Sequence, residues 1–120
     1  MSKTILTVDD VTTMRRLIAF TLAGHKVLEA PDGPAALILL ASQSVDLVIS
    51  DVNMPKMDGI ELTRRIRELP RHKTTPILIV TTESGSDLKA AARKAGATGW
   101  IVKPFDPPQL KDIVRRVIGA

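Results

Sequence analysis

Four short apolar runs punctuate the chain, and each gives way abruptly to polar residues. Thr4-Ile5-Leu6-Thr7-Val8 leads into Asp9-Asp10, Leu47-Val48-Ile49 into Ser50-Asp51, Ile77-Leu78-Ile79-Val80 into Thr81-Thr82-Glu83, and Trp100-Ile101-Val102 into Lys103-Pro104. Runs this short and this rich in β-branched residues predict buried strands of a parallel sheet, and Lys26 to Ala30 predicts a further, less apolar one. Between them the apolar positions fall at helical spacing. Met14, Leu17, Ile18 and Leu22 predict a first helix, capped by Thr12 or Thr13 and ending near Ala23 with Gly24 at its C-cap. Asp32-Gly33-Pro34 supplies an N-cap and an early proline for a second helix through Ala41. In a third helix Leu62, Ile66 and Leu69 face inward while Glu61, Arg64, Arg65, Arg67 and Glu68 face water. Pro70 to Pro76 reads as a polar connection. Ser84-Gly85-Ser86 opens a fourth helix carrying Leu88, Ala91, Ala92 and Ala95, small residues that bury little area and predict a mobile element. Leu110, Ile113, Val114 and Val117 line the last helix. Five strands alternating with five helices predict an α/β domain, doubly wound, with a five-stranded parallel sheet and helices on both faces.

In open sheets of this kind ligands bind at the C-terminal strand edge, so the polar residues that begin where strands stop are the candidate chemistry. Asp51 ends one buried strand, and Asp9 and Asp10 end another. Three carboxylates at one edge repel one another and are costly to desolvate unless a hard divalent cation neutralises them, and Mg2+ is the cation this pattern asks for.

Composition removes several other classes. The 120 residues, 44% of them apolar, suit one domain over residues 1–120 with a single core and no linker or repeat. Cysteine is absent, which excludes disulfides and thiolate metal sites and fits a reducing compartment. Met1-Ser2-Lys3 leads straight into a strand, and no apolar run approaches membrane-spanning length. The cytoplasm and no membrane partner are therefore expected. The formal charge of +4 hints at a polyanion, yet the bases are spread over several helices, Arg15, Arg16, Arg67, Lys111 and Arg116 among them. Phe20, Phe105 and Trp100 are the only aromatic residues available for base stacking. The bases read as solvated helix faces, with no nucleic-acid partner. His25 and His72 fall in loops and read as solvated side chains.

Val8-Asp9-Asp10, Met14-Arg15-Arg16, Glu29-Ala30-Pro31-Asp32-Gly33, Asp51-Val52-Asn53-Met54-Pro55, Met57-Asp58-Gly59, Val80-Thr81 and Gly96-Ala97 through Lys103-Pro104-Phe105 span nearly the whole chain. In this order they resemble the receiver domain of two-component response regulators, and are most similar to its stand-alone, CheY-type chemotaxis members. The resemblance implies a flavodoxin-like (βα)5 fold with strand order 2-1-3-4-5. It makes Asp51 the phosphoryl acceptor, phosphorylated from a phosphohistidine on a sensor histidine kinase. Asp10 then ligates Mg2+ directly and Asp9 largely through water, with Asp51 and the backbone carbonyl of Asn53 completing the set. Lys103 pairs with the phosphoryl oxygens or, before phosphorylation, with Asp51, and the bond to Pro104 is implied to be cis. Thr81 offers its hydroxyl to a phosphoryl oxygen; from the residues alone it is equally a β-branched strand end. Asn53 and Glu83 stand where the family tunes hydrolytic water.

Trp100 takes the place of a tyrosine or phenylalanine switch residue, implied to swing inward with Thr81 and reshape the surface of the fourth helix, fifth strand and fifth helix; a packing tryptophan is the alternative. The Leu22 to Lys26 junction is shorter than the family's usual one. A monomeric signalling protein acting on a target such as a flagellar motor switch is implied, self-catalysed in phosphorylation and dephosphorylation but not an enzyme. Alternatives are a phosphate sink or shuttle without an output target, a receiver fragment of a longer regulator, and a Mg2+-dependent phosphatase. The last lacks the extra acid and substrate cap it would need. The chain stops at Ala120 directly after the last helix, which is expected to leave no room for a DNA-binding domain.

Overall fold

All five apolar segments form strands, and all lie parallel in one sheet. The computed structural model describes residues 2–119; Met1 and Ala120, where the expected start and end of the chain fall, lie outside the described residues. The strands are β1 (Thr4–Val8), β2 (Lys26–Ala30), β3 (Leu47–Ser50), β4 (Ile77–Thr81) and β5 (Gly99–Val102), in the order β2-β1-β3-β4-β5. They alternate with α1 (Thr12–Thr21), α2 (Gly33–Ser42), α3 (Gly59–Arg67), α4 (Ser86–Ala95) and α5 (Pro107–Ile118). This is the flavodoxin-like order that the resemblance implies.

Side chains alternate across a strand, so the buried strands feed two separate cores. Ile5, Leu47, Ile49, Leu78, Val80 and Ile101 pack against Ile18 and Leu22 of the α1 region and Leu110 and Val114 of α5. Leu6, Val8, Val48, Ile77 and Ile79 pack on the other face against Ala36 and Leu40 of α2, Ile60, Leu62 and Ile66 of α3, and Ala92 of α4. Burying each such aliphatic side chain contributes about 1.5–3 kcal/mol, enough to fix which strand ends meet at the edge. Asp32, Asp58 and Asp106 cap α2, α3 and α5 by accepting from the backbone N–H of Ala35, Glu61 and Gln109.

Several expectations fail for identifiable reasons. Neither Thr12 nor Thr13 caps α1: its N-cap is Val11, whose N–H donates instead to Asp9 Oδ1 at 2.9 Å. Gly24 is not its C-cap, because the helix stops at Thr21 with Leu22 in that role and Gly24 does not adopt the left-handed backbone that favours glycine. Arg67 does not face water. Its guanidinium turns back to donate to the carbonyls of Gly96, His72 and Thr75, collecting backbone acceptors that helix and strand leave over. Ala91 lies on the exposed side of α4.

The Pro70 to Pro76 connection contains a short 3-10 helix, Pro70–His72, and His72 is 0% exposed rather than solvated. Its Nε2 accepts from Val45 N–H at 3.4 Å, so it is part of the core's polar bookkeeping. His25 is also engaged, its Nδ1 accepting from Lys3 N–H at 3.0 Å.

Candidate functional site

The register of the central strands sets the site. Val8 of β1 is level with Ser50 of β3, so the residues just beyond, Asp9 and Asp51, emerge side by side, and Asp51 N–H donates to Val8 O at 3.1 Å. Asp9, Asp10 and Asp51 bring carboxylate oxygens within 4.8 Å of one another, the expected cluster. Asp9 is buried, Asp51 half-buried and Asp10 exposed, which grades the cluster from sheet to solvent.

Lys103 joins them from β5. Its N–H donates to Thr81 O at 2.8 Å, and its Nζ donates to Asp9 Oδ2 at 3.2 Å and to Asp51 Oδ2 at 3.1 Å. With 11% of the Lys103 side chain exposed, the ammonium is out of water, and the two carboxylates offset its desolvation. Three carboxylates against this one ammonium leave an excess of acidic groups on hard oxygen donors, which suits a divalent cation. The Lys103-Pro104 bond is cis, as the resemblance implies.

Local structure holds each acid in place. Asp51 Oδ1 accepts from Val52 N–H at 2.7 Å, and Ser50 Oγ donates to Asp51 O at 2.8 Å. Gly59 sits so close that a Cβ there would fall on the Asp51 carbonyl oxygen, so only glycine lets α3 begin at this depth. The loop between β3 and α3 is also tied outward, by Lys56 Nζ to Asp32 Oδ2 at 3.3 Å. The Ala35 N–H that Asp32 caps holds its carboxyl below the usual carboxylate range, with the Lys56 ammonium adding to the effect.

Glu83 links the remaining expected residues. Thr81, 0% exposed, accepts from Glu83 N–H through its Oγ1 at 3.2 Å; Asn53 Nδ2 donates to Glu83 Oε1 at 3.3 Å; Trp100 Nε1 donates to Glu83 O at 3.1 Å. Thr81 follows Ile77 and Ile79 on one face of β4, and Trp100, level with Ile79 on β5, packs partly buried against that same core. Asp9, Asp10, Asp51 and Lys103 therefore form one cluster, while Thr81, Asn53 and Trp100 are joined to one another through Glu83.

The sequence makes Arg15 one of the solvated bases and a member of the Met14-Arg15-Arg16 motif, and the structure takes it out of the solvated face. Its Nη1 donates to Asp9 O at 2.6 Å, and 14% of its side chain is exposed. Gly59 stands in the Met57-Asp58-Gly59 motif, where the sequence assigns it no role of its own. For Gly59 the signal was a glycine directly after a capping aspartate; for Arg15 nothing in the hydropathy pattern distinguishes it from Arg16.

Residues 5–115 match the response regulator receiver domain family. A chemotaxis protein CheY homolog from Campylobacter jejuni is 44% identical over 120 residues, covering 97% of this chain and 92% of that protein. The structure is similar to that of the Vibrio cholerae chemotaxis protein CheY4, with a TM-score of 0.94 and 41% identity over 98% of this chain and 99% of that one. It is also similar to the receiver domain of a Pseudomonas aeruginosa sensor histidine kinase, solved with a magnesium ion coordinated in the active-site cleft, at a TM-score of 0.91 and 28% identity with both chains fully covered. With an acid cluster at the sheet edge, a lysine paired to it and a family match across nearly the whole chain, this protein belongs to the response regulator receiver domains, of the CheY type found in chemotaxis signalling.

Proposed function

We propose that the chain is a phosphorylation-operated signalling switch in which Asp51 accepts a phosphoryl group from a sensor histidine kinase. The observation that carries this reading is the Lys103 ammonium held between Asp9 and Asp51, at 3.2 and 3.1 Å, in a cleft with a third acid. An Asp51 oxygen forms the new bond to phosphorus as the phosphorus–nitrogen bond of the phosphohistidine breaks and the imidazole leaves with its electron pair. Lys103, already within reach of Asp51, pairs with the phosphoryl oxygens as they arrive.

The donor set fits Mg2+. Asp9, Asp10, Asp51 and the backbone carbonyl of Asn53 would hold the ion, all hard oxygens, and the magnesium-bound receiver domain of similar fold supports the choice. When bound, the ion supplies charge neutralisation for the transferring phosphoryl group.

Asn53 and Glu83, hydrogen-bonded across the mouth of the cleft, govern the access of water that later hydrolyses the ester. Thr81 turns its hydroxyl from Glu83 N–H toward the phosphoryl group, and Trp100 gives up its bond to Glu83 O and moves inward. The surface of α4, β5 and α5 then changes shape, favouring an output protein such as a flagellar motor switch.

Incubation with a small phosphodonor and Mg2+, followed by intact-mass measurement, tests the assignment. Addition of one phosphoryl group to the wild type, absent in Asp51→Ala, is expected. Equal addition to both would move the acceptor elsewhere.

A further inference from the structure

The end of β1 carries two of the three acids, and its backbone there has outrun the sheet. Asp9 N–H still donates to Ala30 O at 3.2 Å, but Ala30 is the last residue of β2, and the carbonyl of Asp9 lies beyond the ladder. A carbonyl in that position needs a donor from elsewhere. Arg15 supplies it: Nη1 donates to Asp9 O at 2.6 Å, while Nε donates to Glu29 Oε1 at 3.3 Å and Nη2 lies 3.4 Å from Thr12 Oγ1. One planar guanidinium thus spans the end of β1, strand β2 and the first turn of α1. The adjacent Arg16 does none of this, for 74% of its side chain is exposed and its one ionic neighbour among the described residues is Glu29 at 4.0 Å.

We propose that Arg15 is a positioning residue for the acid cluster: its grip on the Asp9 carbonyl sets the spacing of Asp9 and Asp10 at which the cluster takes up a divalent cation. This rests on the metal-binding reading of Asp9, Asp10 and Asp51 given above. A guanidinium suits the task because its donors are fixed in one plane, so bonds to two elements define their relative place. Lysine would bring the same charge without that geometry.

Charge and geometry predict opposite signs here. As a bare positive charge near the acids, Arg15 repels a cation, and its removal would tighten binding. As a clamp, it supports the ligands, and removal of such outer supports costs about 10–100-fold in metal affinity.

Calorimetric titration of the unphosphorylated full chain with MgCl2 separates the two, using wild type, Arg15→Ala, Arg15→Lys and Arg16→Ala, each also taken through a thermal melt. Arg15→Ala is expected to bind about tenfold more weakly. Arg15→Lys, which keeps the charge and most of the stem and so protects the fold, should also bind more weakly, by a smaller factor. Arg16→Ala, which removes the same charge next door, should bind as wild type or more tightly. Mg2+ affinity at or above the wild-type level in both Arg15 variants overturns the proposal, and a lowered melting temperature with unchanged affinity does so too, leaving Arg15 as a stability contact. If the wild type takes up no Mg2+, the reading of the cluster itself fails and Arg15 loses its role with it.

Discussion

His72 shows how a single residue can carry a pH dependence that its sequence neighbours conceal. Its imidazole is 0% exposed, and Val45 N–H donates to its Nε2, which leaves the proton on Nδ1, where no acceptor among the described residues meets it. Burial, and then the charges of Arg71 and Arg67, push its pKa below the ordinary histidine value. The unfolded chain therefore takes up a proton near the free imidazole value of about 6.5 while the folded protein does not. Stability is complete above that pH and declines as pH falls through it, continuing to fall until the buried ring also titrates. Urea midpoints of the wild type should drop between about pH 7 and about pH 5.5, and His72→Gln should flatten that slope. An unchanged slope in the variant would assign it to other groups. The segment around His72 is polar and proline-bounded, which predicts a solvated side chain, yet the ring turns under that segment and is buried. Arg67 misled in the same way. Contacts from a side chain to distant carbonyls leave no period in the sequence, whereas Asp9, Asp10, Asp51 and Lys103 were legible because each stands within two residues of the end of an apolar run.

At the scale of elements, hydropathy located strands and helices well but not their ends. Gly24 and Gly96 both follow predicted helices, and only one of them ends a helix in the left-handed conformation. Gly96 has φ 112°, and a Cβ there would meet the Arg67 side chain at 2.9 Å, the same guanidinium that binds Gly96 O. Gly24 has ordinary backbone and nothing within 4 Å of a would-be Cβ. Gly96→Ala should cost about 1–3 kcal/mol in chemical denaturation, since it adds backbone strain and displaces a tie between α3 and α4. Gly24→Ala should change stability by less than about 1 kcal/mol, and in the stabilising direction through the unfolded chain. Equal losses at the two glycines would contradict this account of α4's end. α1 ends two residues before the expected Ala23: its apolar spacing continues to Leu22, whose N–H makes the last i→i−4 bond to Ile18 O, but Ala23 N–H reaches only Phe20 O, three residues back, as the chain leaves for β2.

Across the whole molecule the strand order came from the resemblance rather than from hydropathy, since apolar runs alone do not say which strands are neighbours. Once β3 lies between β1 and β4, and β5 beside β4, the acids, Lys103 and Thr81 are obliged to share one edge. What that arrangement does over distance is open to measurement, because Trp100 is the chain's single tryptophan and its indole is tied to Glu83 O next to the Thr81 bond. If Thr81 transmits phosphorylation to Trp100, a small phosphodonor with Mg2+ should shift the tryptophan emission of the wild type, as the ring moves between a solvent-facing bond and the core. Asp51→Ala should show no shift. Thr81→Ala discriminates best: its intact mass should still gain a phosphoryl group, since Asp51 and Lys103 are untouched, while its emission stays at the resting value. Emission that shifts as fully in Thr81→Ala as in the wild type would mean that Trp100 responds to the site by another route, and the coupling through Glu83 would have to be abandoned.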